Sequence, residues 1–460
     1  MQTTIFTFTV LLLALIGYYM GRSRAVSTVG GDIRKLHSLP RHYGYFVAIW
    51  CGVPALVLCV LWTLFEPQIV NSLVLSGVSS LDPDASSAVV SRVLSDIKFL
   101  ALNGTGRGAD DPSMIAAAAH YSHLKSVGTA SLAVAVIAFS IIGLVIGRRR
   151  IGAELKARNQ VEDIIRLVLL ASSIVAILTT IGIVASLLFE AIRFFGKVPF
   201  TDFLFGLEWS PQIALRKDQV ASQGSFGAVP IFAGTLLISF IAMCVAVPVG
   251  LLSAIYMSEY ATPKVRAFGK PMLEILAGIP TVVYGFFAAL VVAPHIRNIG
   301  DSWGIDVSSE SALAAGLVMG VMIIPFVSSL SDDVIRAVPQ SLRDGSYALG
   351  GTKSETVLNV ILPAALPGIV GGVMLAISRA IGETMIVVMA AGLTANLTAN
   401  PLQAVTTATV QMVTLLVGDQ EFDSPKTLAA FALGLVLFCV TLCLNVVALR
   451  VVAKYREKYD

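Results

Sequence analysis

The 460 residues carry 56% hydrophobic and only 13% charged side chains, with a mean hydropathy of +0.82, beyond the range of a soluble globular domain. The formal charge is only +3, and the basic residues gather in short loops between apolar runs. Membrane is therefore the expected solvent, and no nucleic-acid partner is expected.

A bilayer core about 30 Å thick asks for roughly 20 mostly apolar residues per helix. Nine such runs occur, at 5–20, 44–65, 127–146, 164–189, 229–257, 271–293, 312–330, 367–391 and 428–452. Backbone groups in lipid must be satisfied internally, and these Leu, Val and Ala runs lack the alternation of a barrel. An all-α polytopic membrane protein is predicted.

Arg22, Arg24, Arg34, Lys35 and Arg41 follow the first run; Arg148, Arg149, Arg150, Lys156 and Arg158 follow the third; Lys264, Arg266 and Lys270 follow the fifth. The excess of basic residues on cytoplasmic loops gives one consistent topology, with the N-terminus outside and the C-terminus, with Lys454, Arg456 and Lys458, in the cytoplasm. No positive charge precedes Ile5, the reverse of a signal peptide's order, so the first run is expected to be a retained anchor.

The stretch 66–126 is expected outside as a helical hairpin. Val90, Val93, Leu94, Ile97 and Leu100 recur at helical spacing, Asn103 to Gly106 reads as a turn, and Asp111-Pro112 offers an N-cap and first-turn proline to a second helix through 116–119. It either covers a partner or packs on the spans. A second outside loop, 196–224, holds Phe200, Phe203, Phe205 and Trp209, suited to a membrane interface or to contact with a soluble ligand-delivery protein. The five cysteines, Cys51, Cys59, Cys244, Cys439 and Cys443, all fall in spans and read as buried small hydrophobes; His120 and His123 have no third ligand beside them, so no metal is expected.

The loop after the seventh run has its own signals. Pro339 opens a short helix over 341–349, Gly350-Gly351 supplies a left-handed C-cap, Thr352 to Glu355 fits a capping box, and Pro363 is expected to end the second helix. Asp344-Gly345-Ser346, Gly350 and Val360-Ile361-Leu362-Pro363 resemble the E-A-A, G, I-x-L-P loop of bacterial ABC importer permeases, with Asp for Glu, Gly-Ser for Ala-Ala and Val for Ile. The resemblance implies a coupling helix that docks on a cytoplasmic ATPase. No phosphate-cradling G-x-x-x-x-G-K-[ST] occurs, so no cofactor is expected on this chain and ATP is left to a partner.

Arg379 and Glu383 fall in the eighth run, where an arginine costs at least about 2.5 to 3.5 kcal/mol. With Gly372 and Ala376 they mark one helical face. The spacing admits two uses, a packing salt bridge or an oxyanion clamp in which the guanidinium fork donates two parallel hydrogen bonds. Gly371 to Met385, reading GGVMLAISRAIGETM, is similar to a segment of Pst-type phosphate importer permeases, closer to the C-type than to the A-type subunit, and Ala277 to Gly285 resembles a second such segment. The resemblance covers 164 to the C-terminus and implies a type I ABC importer transmembrane domain, a six-span core (161–455, coupling loop 336–363) behind an N-terminal extension (1–160) with three further spans.

On the same resemblance Arg379 and Glu383 would bind the anion, and the partners would be a PstA-like permease, a PstB-like ATPase pair and a PstS-like periplasmic phosphate-binding protein. Pro280, inside the sixth run, is expected to kink it, with Gly278 and Thr281 lining the path. A permease for sulfate or molybdate, and a membrane scaffold or sensor for phosphate signalling, are the rival readings; no H-E-x-x-H or G-x-S-x-G supports an intramembrane enzyme.

Overall fold

The computed structural model describes residues 2–76, 87–104, 111–211, 224–417 and 423–455. Nine of the described helices are long and apolar enough to cross a membrane. The chain divides into two compact units, Met1–Leu178 and Thr179–Asp460, a boundary that falls inside a helix. The tail residues Arg456 and Lys458, and the stretches 105–110 and 212–223 of the two outside loops, lie outside the described residues.

In the first unit, α1 (Gln2–Thr28), α2 (Pro40–Ser76) and α4 (Pro112–Arg149) pack together, and small residues set their closeness. A Cβ at Gly21 would stand 2.7 Å from the Tyr43 carbonyl, one at Gly44 would meet the Tyr18 ring at 2.7 Å, and one at Gly143 would overlap the Trp50 carbonyl. Without a hydrophobic drive between helices in lipid, such close backbone approach is what holds them. Tyr43 Oη donates to the Leu155 carbonyl at 3.0 Å, tying α2 to the link behind α4.

Two expectations are corrected here. The helices that hold the second and third apolar runs extend beyond them, α2 and α4 being 37 and 38 residues long, and the separate helix expected at 116–119 is the first turns of α4. Asp111 does cap it, its side chain accepting the Ser113 N–H at 2.9 Å. α3 (Ser87–Asn103) lays Ile97 and Leu100 on Val70 and Val74 of α2 and on Ala117 and Ala118 of α4. Across the same pair of long helices, Lys125 Nζ meets both oxygens of Glu66 at 2.6 and 2.9 Å.

From α5 (Ala157–Phe195) the chain enters the second unit. α6 (Phe200–Phe205) and the short antiparallel pair β1 (Trp209–Ser210) and β2 (Ser225–Phe226) follow. Phe203, expected at a membrane interface or against a ligand-delivery protein, is instead fully buried against Phe194 and Phe226, and Phe200 and Phe205 remain exposed. The centre is α7 (Val229–Ile255) against α11 (Ala312–Ala337), where a Cβ on Gly250, Gly316 or Gly320 would press on Val327, Ile241 or Val245 at 2.7 to 2.8 Å.

The sixth span differs from expectation. α8 (Pro263–Gly278) ends before Ile279-Pro280, which are extended, and a new helix starts as α9 (Thr281–Phe287), continuing through α10 (Ala293–Ser302). The spanning helix is thus Thr281–Ser302, not 271–293, and Pro280 precedes it instead of kinking it. Tyr284 Oη donates to the Leu276 carbonyl at 2.7 Å, satisfying a carbonyl near the end of α8.

α12 (Gln340–Ala348) and α13 (Lys353–Thr356) form the loop after α11, and α13 runs on through a π-helical turn into α14 (Leu362–Ile381). Pro363 therefore does not end a helix. Three π turns, Tyr256–Tyr260, Ala288–Val292 and Val357–Ile361, stand two or three residues before Pro263, Pro294 and Pro363. A proline ring collides with the carbonyl four residues back, and in each case that carbonyl lies in the wider π turn.

The eighth span is also broken. α14 stops at Ile381, Gly382 to Thr384 are irregular, and α15 (Met385–Ala390) restarts. α16 (Ala408–Leu416) and α17 (Pro425–Tyr455) complete the unit. Among the cysteines only Cys51 is buried, and Cys244, Cys439 and Cys443 are exposed on helix surfaces, so the expectation of buried small hydrophobes fails for these three.

Candidate functional site

The coupling loop follows from local chemistry. Gly350 has φ +87°, the left-handed conformation that terminates α12, and no atom lies within 4 Å of where its Cβ would be. Thr352 Oγ1 then accepts the Glu355 N–H at 3.3 Å while Glu355 Oε2 accepts the Thr352 N–H at 2.8 Å. Asp344 accepts from Gln340 Nε2 at 3.0 Å, Ser346 Oγ meets Thr356 Oγ1 at 2.8 Å, and Gly345 has open space around it. Tyr347 and Leu349 point outward, Leu349 with 92% of its surface exposed.

What anchors α12 is a residue that the sequence did not single out. Arg343 is nearly buried, donates to the Val338 and Ile335 carbonyls, and pairs with Glu259 at 3.1 Å. Glu259 sits in the π turn that ends α7, so the pair clasps the loop to the bundle.

Arg379 lies in the last turn of α14, on the face where Gly372 packs on Leu330 of α11 and Ala376 is buried. Glu383 is past the end of that helix, and no ion pair or hydrogen bond joins it to Arg379 among the described residues. The expected pair one helical turn apart on a single helix is not formed, because the chain leaves α-geometry at Gly382. Glu383 instead accepts the Met385 N–H on Oε1 at 3.1 Å, capping α15, and its carbonyl accepts from Thr409 Oγ1 at 2.8 Å.

Arg379 opens onto a cavity of ≈ 360 Å³ between α8 and α11. One wall is a face of α11, with Met322, Pro325, Ser329, Asp332 and Arg336 at steps of three and four residues. The other is a face of α8 with Arg266, Lys270, Glu274 and Ala277. Four fixed cations, Arg266, Lys270, Arg336 and Arg379, thus face two carboxylates, Glu274 and Asp332. Met322 and Arg336 are fourteen residues apart on α11, so the slot wall extends about 21 Å along the helix axis.

Of the expected path-lining residues, Gly278, Pro280 and Thr281 are not among the slot's walls, and Ala277 is. They form the break between α8 and α9, and the second break, at Gly382 to Thr384, is close by, since a Cβ at Gly285 of α9 would stand 3.0 Å from the Met385 carbonyl. Interrupted helices of this kind put free backbone groups at membrane depth only where protein or a water-filled cavity receives them. The wall residues Asp332 and Arg336 were passed over, beyond the end set for the seventh run at 330, though their spacing of four is the signal that could have paired them; Arg266 and Lys270 read as loop charges only.

Comparison with known proteins agrees with this architecture. A family model described as a phosphate ATP-binding cassette transporter matches residues 7–179, the N-terminal spans on which the six-span resemblance is silent. A second, described as a binding-protein-dependent transport system inner membrane component, matches residues 246–457. The probable ABC transporter permease protein YqgH of Bacillus subtilis is 32% identical over 279 residues, 60% of this chain and 86% of that protein. The phosphate transport system permease protein PstC of Pasteurella multocida is 31% identical over 233 residues, 47% of this chain and 69% of that protein. PstC of Xylella fastidiosa strain Temecula1 is 32% identical over 176 residues, 35% and 51% of the two chains. With two relatives above 30% identity aligned over more than two thirds of their length, the chain belongs to the family of ABC importer inner-membrane permeases and is a homologue of the PstC permease subunits.

Proposed function

We propose that the chain is a permease subunit of an ATP-driven importer of inorganic phosphate, forming part of the translocation path and coupling it to a separate ATPase. The observation that carries this reading is Arg379 opening onto a slot in which fixed cations exceed carboxylates. The PstC relatives, named as phosphate permeases, supply the substrate class. Guanidinium stays charged at any working pH and presents a planar fork to an oxyanion. Glu383, with one oxygen committed to the Met385 N–H, has a second oxygen to accept the hydroxyl of HPO4 or H2PO4, which sulfate lacks.

In this reading α12 is the coupling element, with Asp344, Gly345 and Ser346 on it, Gly350 ending it, and exposed Tyr347 and Leu349 meeting the ATPase. Pro363 lies within the helical run that leads to Arg379, and the break at Gly278, Pro280 and Thr281 borders the path. The N-terminus is outside and the loop end of the bundle, with the C-terminus, is cytoplasmic. The partners are a PstA-like permease, a PstB-like ATPase pair that uses the ATP, and a PstS-like binding protein outside; the chain itself takes no cofactor.

The test is radiolabelled anion uptake in cells lacking this chain, complemented with the parent or with Arg379→Lys. The parent restores phosphate but not sulfate uptake, and Arg379→Lys, losing one charge-assisted hydrogen bond worth about 1.5 to 3 kcal/mol, lowers it roughly 10- to 150-fold. Restoration of sulfate or molybdate uptake alone would reassign the substrate, and normal phosphate uptake by Arg379→Ala would favour a scaffold or sensor.

A further inference from the structure

Asp332 is almost fully buried, and three cations converge on its one carboxylate. Arg336 Nε donates to Oδ1 at 2.9 Å, Lys270 Nζ reaches Oδ2 at a long 3.4 Å, and Arg266 Nη2 stands 3.6 Å from Oδ1. The last distance is beyond a hydrogen bond, and this buried Nη2 has no other acceptor among the described residues. With Glu274 on the same face of α8 the slot still holds four cations against two carboxylates, and a buried donor without an acceptor is costly, so the cluster is built for a further anionic acceptor. Ser328 and Ser329 add hydroxyls to the same wall.

The position matters as much as the charge. Asp332 lies about one turn before the end of α11, where the chain passes into Val338, Pro339 and the coupling loop, whereas Arg379 faces the Met322 end of the slot. The two cation groups therefore stand at opposite ends of one cavity. We propose that Arg266, Lys270 and Arg336 form a second oxyanion station at the loop end of the slot, taking inorganic phosphate that has left Arg379, with Asp332 as the counter-ion that the anion competes with. The station rests on the phosphate reading above. Asp332 lowers the net charge of the cluster and so keeps its hold on the anion weak enough for release.

The test uses the transporter assembled with its permease and ATPase partners in lipid nanodiscs, without the binding protein and without ATP, and equilibrium binding of radiolabelled phosphate and of sulfate. The parent binds phosphate at two classes of site. Lys270→Gln with Arg266→Gln weakens one class at least tenfold, and that class survives Arg379→Met. Lys270→Gln alone, at a side chain 40% exposed, removes a charge without emptying a packed position and weakens it at least threefold. Asp332→Asn shifts the same class the other way, tightening it at least threefold. A single class of phosphate site, lost in Arg379→Met and indifferent to the Lys270 and Asp332 substitutions, overturns the station while leaving the phosphate reading intact. If the parent binds sulfate at two classes and phosphate at neither, the phosphate reading falls and the station is overturned as a phosphate site, leaving two sites for another oxyanion.

Discussion

Arg343 Nη2 lies 3.1 Å from Glu259 Oε1, with both side chains nearly buried, and this pair joins the coupling helix to the π turn at the end of α7. Removing one partner of such a pair leaves an uncompensated charge, at a cost of about 3 to 5 kcal/mol. Arg343→Met should therefore insert normally but release α12, which becomes sensitive to protease while ATP-driven uptake falls at least tenfold. Glu259→Gln, which keeps an acceptor, should be milder. Proteolysis and uptake measured on the same membrane vesicles check this, and parent-like behaviour of Arg343→Met in both would remove the anchoring role.

At Gly350 the demand is purely one of backbone conformation, because nothing lies within 4 Å of its Cβ position. An L-residue in the left-handed region costs about 1 to 2 kcal/mol, a β-branched one more, and asparagine least. The expected order of coupled uptake is Gly350→Asn near the parent, Gly350→Ala lower and Gly350→Val lowest, with the chain inserted throughout. Equal uptake for Asn and Val would show that the left-handed turn is unimportant to coupling.

Glu383 separates capping from anion binding. Glu383→Gln keeps an oxygen for the Met385 N–H, so thermal stability should stay near the parent's, whereas Glu383→Ala loses a cap worth about 1 kcal/mol. If the second carboxylate oxygen serves hydrogen phosphate, Glu383→Gln lowers phosphate uptake at least tenfold at unchanged stability. Since the two side chains do not pair, Arg379→Met combined with Glu383→Gln should not recover uptake. Recovery to the parent level would mean that they pair after all and that the pair is structural.

The N-terminal unit offers a steric test. A side chain at Gly143 would drive into the Trp50 backbone, and overpacking of this sort costs about 1 to 3 kcal/mol or more. Gly143→Val should speed tryptic cleavage in residues 1–178 without changing the preference for phosphate over sulfate, because the slot residues all lie beyond 179. Uptake that becomes indifferent between the two anions would assign selectivity to the N-terminal unit.

Where the determinant is local, the sequence was a good guide. Thr352 and Glu355 form their capping box, and Gly350 is left-handed, since both depend on residues three or four positions away. Pro280 and Pro363 were misread because a proline's effect is set by whether the chain around it breaks or widens, and neither outcome is written in the proline itself. Arg379 and Glu383 fall on different segments because the chain leaves the helix at Gly382, an exit that no periodicity reveals. Asp332 was passed over because its partners Arg266 and Lys270 are about 60 positions away and meet it only when α8 folds onto α11.

The helical run from Lys353 to Ile381 has the Thr352 cap and the Ser346–Thr356 contact at one end and Arg379 near the other. Its length to Arg379 is about 40 Å at 1.5 Å per residue, so a tilt of about 10° at the loop displaces the far end by about 7 Å. Such a rod acts as a beam whose stroke exceeds the reach of any single hydrogen bond. Its stiffness is interrupted by the π turn at Val357–Ile361 and by Pro367 inside α14, which set how much of a push on α12 arrives at the guanidinium and how much is absorbed as bending.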